Sequence, residues 1–213
     1  MLLLLATALA LGMLHTVAPD HLAAVVVFVS RRPHWRDAAR YGARWGLGHS
    51  LTIAVVGGLA VLAAVRIPEA LEPRLEQAVG VMLVILGVLA WRRGAGDTPA
   101  TAAERTSTHD HGHAHDEAGG ALLGIGMMHG LAGSGALVAA LPAATAQSPA
   151  QAVGYLASFG LGTIVAMAAL AVALGGALRL ATHRAAALQR GVVRAAAAAS
   201  VAVGVWWFVA AMG

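Results

Sequence analysis

The sequence contains neither cysteine nor lysine, and only 11% of its 213 residues are charged. Soluble domains usually carry about 25% charged residues, so a soluble enzyme and a DNA-binding module are excluded. The absence of cysteine excludes disulfides, thiolate metal sites and thiol redox chemistry. The absence of lysine excludes a Gly-x4-Gly-Lys-Ser/Thr nucleotide loop, which argues against direct ATP drive within this chain. The net charge of +4 is too small to indicate nucleic-acid binding.

Hydrophobic residues dominate instead, at 59% of the chain and a mean hydropathy of +0.74. Apolar runs of about 20 residues recur, which is the length that a helix needs to cross a bilayer. We therefore predict an all-α polytopic membrane protein with about six transmembrane helices. Segment 1–13 lacks the charged region of a signal peptide and is interpreted as the start of the first helix. The predicted spans are 2–29, 37–65, 71–91, 119–145, 149–181 and 185–212.

Arginine is distributed unevenly among the predicted loops, with ten residues on one side and two on the other. Positive residues favour the cytoplasmic side of a membrane. Both termini are therefore predicted to lie outside the cell, with loop 94–118 in the cytoplasm and the protein in the cell (inner) membrane. The ten are Arg31, Arg32, Arg36, Arg40, Arg92, Arg93, Arg105, Arg179, Arg184 and Arg190, and the two are Arg66 and Arg74.

The two halves of the chain resemble each other at a constant offset of 114 residues. Gly-Met-Leu-His at 12–15 aligns with Gly-Met-Met-His at 126–129, and Trp-Gly-Leu-Gly at 45–48 aligns with Phe-Gly-Leu-Gly at 159–162. Three spans in each half would give the halves opposite orientations, which is the inverted repeat of many secondary transporters. The predicted parts are a first three-helix repeat at 1–93, a His-rich cytoplasmic loop at 94–118 and a second three-helix repeat at 119–213.

Five ionisable side chains fall inside the predicted spans either away from the arginine-rich ends or close to helix breaks, namely His15, Asp20, His21, His49 and His129. Such a residue in the membrane is costly and indicates function by default, although a single buried histidine is more often a packing residue. Proline at 19 discourages helix at the residue before it. A break there would let His15 meet Asp20 or His21, and the glycines beside His49 would let that residue face the first span.

Imidazole and carboxylate groups without thiolate suit Ni²⁺, Co²⁺, Zn²⁺ or Fe²⁺ better than Cu⁺. The five residues therefore predict a metal or proton pathway, and as a set they are our candidate metal ligands. Three small hydroxyl residues are candidates for lining the pathway, although such residues are also ordinary in contacts between membrane helices. They are Ser50, Ser134 and Thr163.

The segment from His15 to His21 resembles the His-x4-Asp-His signature of the nickel/cobalt transporter family. The Gly-His-Ser segment at 48–50 and the Met-His-Gly segment at 128–130 look like further segments of that family. The short six-span form resembles the branch related to the transmembrane domain of a urease accessory protein. The resemblance implies that His15, Asp20, His21 and, more loosely, His49 bind Ni²⁺ or Co²⁺ during transport.

The chain departs from the family pattern at two places. The better-known permeases have eight spans and an acidic residue two positions before the signature aspartate, where this chain has Ala18. The second half has Ser134 and Gly135 where the first half has Asp20 and His21. Losing a carboxylate leaves the affinity and the preferred metal open.

A histidine tract in the predicted cytoplasmic loop alternates with small or acidic residues, at His109, His111, His113 and His115. Several imidazoles on a flexible chain bind divalent metals with modest selectivity. We predict that this tract captures or buffers metal near the cytoplasmic mouth, against the alternative of a solvated charged linker.

The sequence therefore predicts a secondary transporter, not an enzyme, that moves a divalent transition metal. Two alternatives stay open: an intramembrane metal-dependent hydrolase on the same His/Asp cluster, and a small-anion exporter on the same 3+3 plan. No permanent cofactor is expected, since Ni²⁺ or Co²⁺ would be the substrate. The expected partners are the metal ion and the lipid bilayer, with a homo-oligomer and a cytoplasmic metallochaperone as candidates and no nucleic acid.

Overall fold

A computed structural model describes residues 1–29, 34–62, 72–93, 114–132, 146–182 and 186–212. All regular secondary structure in these ranges is helical, as the sequence predicts. The helices are α1 (Leu2–His15), α2 (Pro19–Val29), α3 (Trp35–Leu62), α4 (Glu72–Arg93), α5 (Ala114–Ala132), α6 (Pro149–Thr182) and α7 (Ala186–Ala210).

Several of the described helices are long and apolar enough to cross a membrane. Three segments pass a test of length and composition for a span, at Pro73–Arg92, Pro149–Leu180 and Arg190–Ala210, and α1 with α2 forms a fourth if the bent pair counts as one. Large apolar side chains such as Leu2, Leu180 and Trp206 are exposed on the outside of the bundle. Side chains of this kind are stable facing lipid and would be costly facing water.

Two predicted helix boundaries are confirmed. Helix α6 begins at Pro149, and the Ser148 hydroxyl accepts a hydrogen bond from the Gln151 backbone N–H at 3.3 Å. The bond satisfies one of the free N–H groups at the start of a helix. Helix α1 ends at His15 and α2 begins at Pro19, with a bend of 63° between them.

Contacts along the long helices give their relative directions. Helix α3 runs antiparallel to α6, because Gly42 lies against Met167 and Ser50 against Gly160. Helix α4 runs antiparallel to α7, where two glycines meet and the Ser200 hydroxyl donates to the Leu83 carbonyl at 2.9 Å. Helix α1 runs parallel to α6, and α5 runs parallel to α3.

Equivalent contacts recur at the 114-residue offset seen in the sequence. The α-carbon of Gly12 packs on the Phe159 carbonyl, and that of Gly126 packs on the Trp45 carbonyl. Likewise Gly162 packs on Leu9, and Gly48 packs on Leu123. A side chain at any of the four glycines would overlap backbone atoms, so glycine is what lets α1 approach α6 and α5 approach α3 this closely.

Three clusters of buried apolar residues form the interior among the described residues, and the two largest lie next to the predicted ligands. The larger contains Trp45 with residues of α2, α4, α5 and α6, and the smaller contains Phe159 with residues of α1, α3 and α6. The predicted ligands lie between these two aromatic residues.

Candidate metal-binding site

The five predicted ligands come together in one cluster, in which all but the half-buried His15 are buried. His15 is the last residue of α1, Asp20 and His21 lie in the first turn of α2, His49 lies midway along α3, and His129 lies in the last turn of α5. Asp20 is 3% exposed, and His21, His49 and His129 are 0% exposed. Residues that are 114 positions apart in the chain thus share one site, made by α1, α2, α3 and α5.

The break between α1 and α2 creates this site. The backbone N–H groups of residues 16–18 bond to carbonyls three residues earlier, which tightens the end of α1 into a turn. Pro19 then starts α2 without needing a hydrogen bond for its nitrogen. On a straight helix the rings of His15 and His21 would diverge by roughly 120°, whereas the bend brings their centroids to 4.7 Å.

The Asp20 carboxylate joins two histidines from different helices. Its Oδ1 atom lies 3.1 Å from His21 Nδ1, and its Oδ2 atom lies 2.9 Å from His129 Nε2. An ionised carboxylate only accepts hydrogen bonds, so both ring nitrogens donate. The other ring nitrogens, His21 Nε2 and His129 Nδ1, therefore carry lone pairs, and both are buried without a hydrogen-bond partner among the described residues.

A second contact joins α1 to α3. The Nε2 atoms of His15 and His49 are 3.2 Å apart, and their rings are nearly parallel. Two nitrogens bound to one metal in tetrahedral geometry at about 2.1 Å lie about 3.4 Å apart. The pair is therefore already spaced as two ligands of one ion.

The charge of the cluster suits a cation. Among the described residues, the partners of the Asp20 carboxylate are two imidazoles and not a guanidinium. With neutral imidazoles, the five residues carry one negative charge in a buried place, which is costly without a compensating cation. The donor set, four imidazoles and one carboxylate, is one that Ni²⁺, Co²⁺ and Zn²⁺ accept.

Two aromatic residues that we did not assign to the site form its walls. The centroid of the Trp45 ring lies 6.1 Å from that of His21 and 5.6 Å from that of His129. The centroid of the Phe159 ring lies 5.9 Å from that of His15. Both are essentially unexposed. The sequence does carry one signal for them, since Trp45 and Phe159 are aligned in the repeat. That alignment indicates the repeat but does not by itself indicate that the two residues border the site.

The hydroxyls predicted to line the pathway take part in contacts between helices. Ser50 donates to the Gly160 carbonyl at 3.1 Å, and Thr163 lies within hydrogen-bonding distance of the Gly12 and Phe159 carbonyls. Ser134 lies outside the described residues. The role of the three in a pathway stays a prediction.

The histidine tract is largely outside the described part of the chain. His109, His111 and His113 precede α5, and His115 falls in its first turn without a described side chain. Capture of metal by this tract also stays a prediction.

Buried polar groups within a bundle of apolar helices define an integral membrane protein. The chain belongs to the family described as the cytochrome c biogenesis protein transmembrane region, whose model matches residues 22–206. It is 29% identical over 177 residues to the urease accessory protein UreH of Bacillus sp. (strain TB-90), covering 78% of this chain and 73% of that protein. The predicted resemblance to a urease accessory membrane protein is thereby confirmed.

Two plant proteins are also similar. The chloroplast proteins FOR GROWTH AND FERTILITY 2 and 1 of Arabidopsis thaliana are each 31% identical, over 169 and 175 residues. The matches cover 77% of this chain but only 45% and 47% of the two relatives, so the chain spans about half the length of these proteins. No solved structure gives a significant match.

Proposed function

We propose that the protein is a secondary transporter for a divalent transition-metal cation, with Ni²⁺ or Co²⁺ as the substrate. The observation that carries this proposal is the convergence of four imidazoles and one carboxylate, all buried except the half-buried His15, at a break between two apolar helices. Three of their ring nitrogens, His21 Nε2, His49 Nδ1 and His129 Nδ1, are buried without a hydrogen-bond partner among the described residues, which leaves them available to a bound ion.

The choice of metal rests on donor chemistry and on the relatives. Imidazole with carboxylate suits several first-row divalent ions, and a relative named for urease accessory function supports nickel. The chloroplast relatives leave the substrate open. The family description refers to cytochrome c biogenesis, but a chain without cysteine carries no thiol–disulfide exchange of its own.

The two alternative functions fit the cluster less well. A metal hydrolase needs a general acid or base beside the metal-bound water, and the carboxylate of the cluster is already bonded to two histidines. An anion exporter needs a cationic site, whereas among the described residues the Asp20 carboxylate is bonded to two imidazoles and not to an arginine. We therefore propose that the protein is a transporter and not an enzyme.

The architecture that we propose is six spans in a 3+3 inverted repeat, embedded in the cell (inner) membrane. Both termini would lie outside the cell, and the 94–118 loop would lie in the cytoplasm. The glycine contacts that recur at the 114-residue offset support the repeat. The directions of the helix pairs also support it, because inverted three-helix halves make the first span of one half parallel to the second span of the other. The arginine distribution supports the orientation.

Transport would proceed by rocking of the two halves around the ion. Metal ligands must be deprotonated to bind, so protons compete for the same imidazoles and supply one means of coupling. On the cytoplasmic side, the histidine tract would capture or buffer metal, with a metallochaperone or a second copy of the chain as candidate partners.

Metal uptake into proteoliposomes tests the proposal. Saturable Ni²⁺ or Co²⁺ uptake by the purified chain should fall by roughly 10-fold or more in His15→Ala and in His49→Ala. His34→Ala is the matched control, because His34 is an exposed histidine outside the cluster. Intact uptake in both cluster variants would show that the site is wrong, and hydrolysis without uptake would favour the enzyme alternative.

A further inference from the structure

The cluster divides into two groups of three ligands that share one residue. His15, His21 and His49 place one ligand atom each within 4.8 Å of one another, and Asp20, His21 and His129 do the same. The first group offers three nitrogens, and the second offers two nitrogens and a carboxylate oxygen. The groups therefore differ in chemistry as well as in membership.

His21 lies between the two groups. Its ring centroid is 4.7 Å from that of His15 and 4.3 Å from that of His129. Its Nδ1 atom faces Asp20 at 3.1 Å, and its buried Nε2 atom is the one left for His15 and His49. The two nitrogens of an imidazole point to different sides of the ring, so one ion cannot be bound by both at once.

The surroundings of the two groups correspond to each other. His15 and His129 are aligned in the two halves of the chain, as are the aromatic residues beside them. Phe159 lies against His15, while Trp45 lies against His129 and His21. Each group is thus covered by one of two aligned aromatic residues, on α6 for the first group and on α3 for the second.

We infer that the cluster provides two alternative positions for a single metal ion, with His21 as the ligand common to both; this inference rests on the proposed transport function. An ion moves between the positions by exchanging His15 and His49 for Asp20 and His129 and by passing from Nε2 to Nδ1 of His21, whose ring proton then lies on the other nitrogen. Two divalent ions cannot occupy the positions together, because one carboxylate cannot offset their charges in a buried place. Occupancy is therefore one ion per chain.

Metal binding by the purified full-length chain tests this without relying on transport. The probe is Ni²⁺, followed by equilibrium binding and by X-ray absorption at the nickel edge. Wild type should bind one ion. His15→Ala should still bind one ion with oxygen among its ligands, and His129→Ala should bind one ion through imidazoles alone. Removing the shared ligand with His21→Ala should cost at least the roughly 10–100-fold in affinity that loss of a ligand's supporting partner costs.

Controls separate binding from folding. His34→Ala should bind as wild type does, and His21→Gln keeps a side chain that can still donate to Asp20 if the alanine variant fails to fold. Equal and complete loss of Ni²⁺ binding in His15→Ala, His129→Ala and both His21 variants would overturn the inference in favour of one five-ligand position. Two bound ions in wild type would overturn it as well.

The same measurements distinguish this inference from the proposed function. A chain that binds Ni²⁺ in two ways but takes up no metal in proteoliposomes would refute transport and leave the two positions standing. A chain that transports Ni²⁺ but shows one set of ligands in every variant would refute the two positions and leave transport standing.

Discussion

The two halves of the chain make the same helix contacts but carry different chemistry. At aligned positions, Gly12 packs on Phe159 and Gly126 packs on Trp45, so the backbone packing is repeated. His49 of α3 aligns with Thr163 of α6, yet His49 contacts His15 in the cluster while Thr163 hydrogen-bonds to backbone carbonyls. The comparison teaches that close packing needs both copies, whereas a central site needs its ligands only once.

The same asymmetry appears at the break that creates the site. The first half has Pro19, Asp20 and His21, and the second half has Gly133, Ser134 and Gly135 at the aligned positions, which lie outside the described residues. Among the residues that the structure describes, the second half contributes His129 alone to the cluster. A single carboxylate beside four imidazoles leaves a net charge that one divalent ion can compensate, and a second Asp-His pair would change that balance.

The largest effect is expected for Asp20→Asn, which removes the one negative charge of the cluster. Metal uptake should fall by about 100-fold or more, the upper end of what loss of a group supporting a metal ligand costs. Radioactive Ni²⁺ or Co²⁺ uptake into proteoliposomes measures it. Asp37→Asn is the matched control, because the Asp37 side chain is 46% exposed and faces Arg40. Equal losses in the two variants would contradict a special role for Asp20.

The next effect should come from His49→Thr, which makes the first half resemble the second at this position. The variant removes the partner of His15 and should reduce uptake by roughly 10–100-fold, while the helix contacts of α3 persist. Uptake and thermal unfolding in detergent should be measured together. Unchanged uptake would mean that the difference between His49 and Thr163 has no functional meaning.

The repeated packing predicts matched losses of stability in Gly12→Ala and Gly126→Ala. In each variant the new methyl group meets a backbone carbonyl across the helix contact, and overpacking of this kind costs about 1–3 kcal/mol. Thermal unfolding in detergent should show similar decreases. Gly124→Ala is the control, since nothing lies within 4 Å of a Cβ at that position. A large loss in only one of the pair would argue against equivalent packing.

The smallest effect is expected for Thr163→Val. The hydroxyl bonds to backbone carbonyls and lies outside both ligand groups, so its loss should cost about 0.6 kcal/mol of stability, as is typical of hydrogen bonds between membrane helices. The rate of metal uptake should stay within about twofold of the wild-type rate. A sharp fall in uptake at wild-type stability would instead support the role of Thr163 in lining the pathway.

Much of this organisation could be predicted from the sequence because its signals are local. Apolar length predicts helices in a membrane, Pro19 predicts the break, and Ser148 before Pro149 predicts a helix start. Rare ionisable residues in apolar segments identify the candidate ligands, since their cost in lipid leaves few structural reasons for them. Trp45 and Phe159 escaped assignment, because an aromatic residue is ordinary in a core and only its neighbours reveal that it covers a site.

The sequence by itself determined the class of the protein, the helix break and the identity of the five polar residues, because hydropathy, proline geometry and ionisation are properties of short segments. Only the tertiary structure decided which ring nitrogen faces which partner, that Asp20 joins α2 to α5, and that His21 belongs to two ligand groups. Those facts depend on a bend of 63° and on glycine contacts between helices far apart in the chain. Packing of distant helices, rather than any local pattern, sets the distances on which metal binding depends.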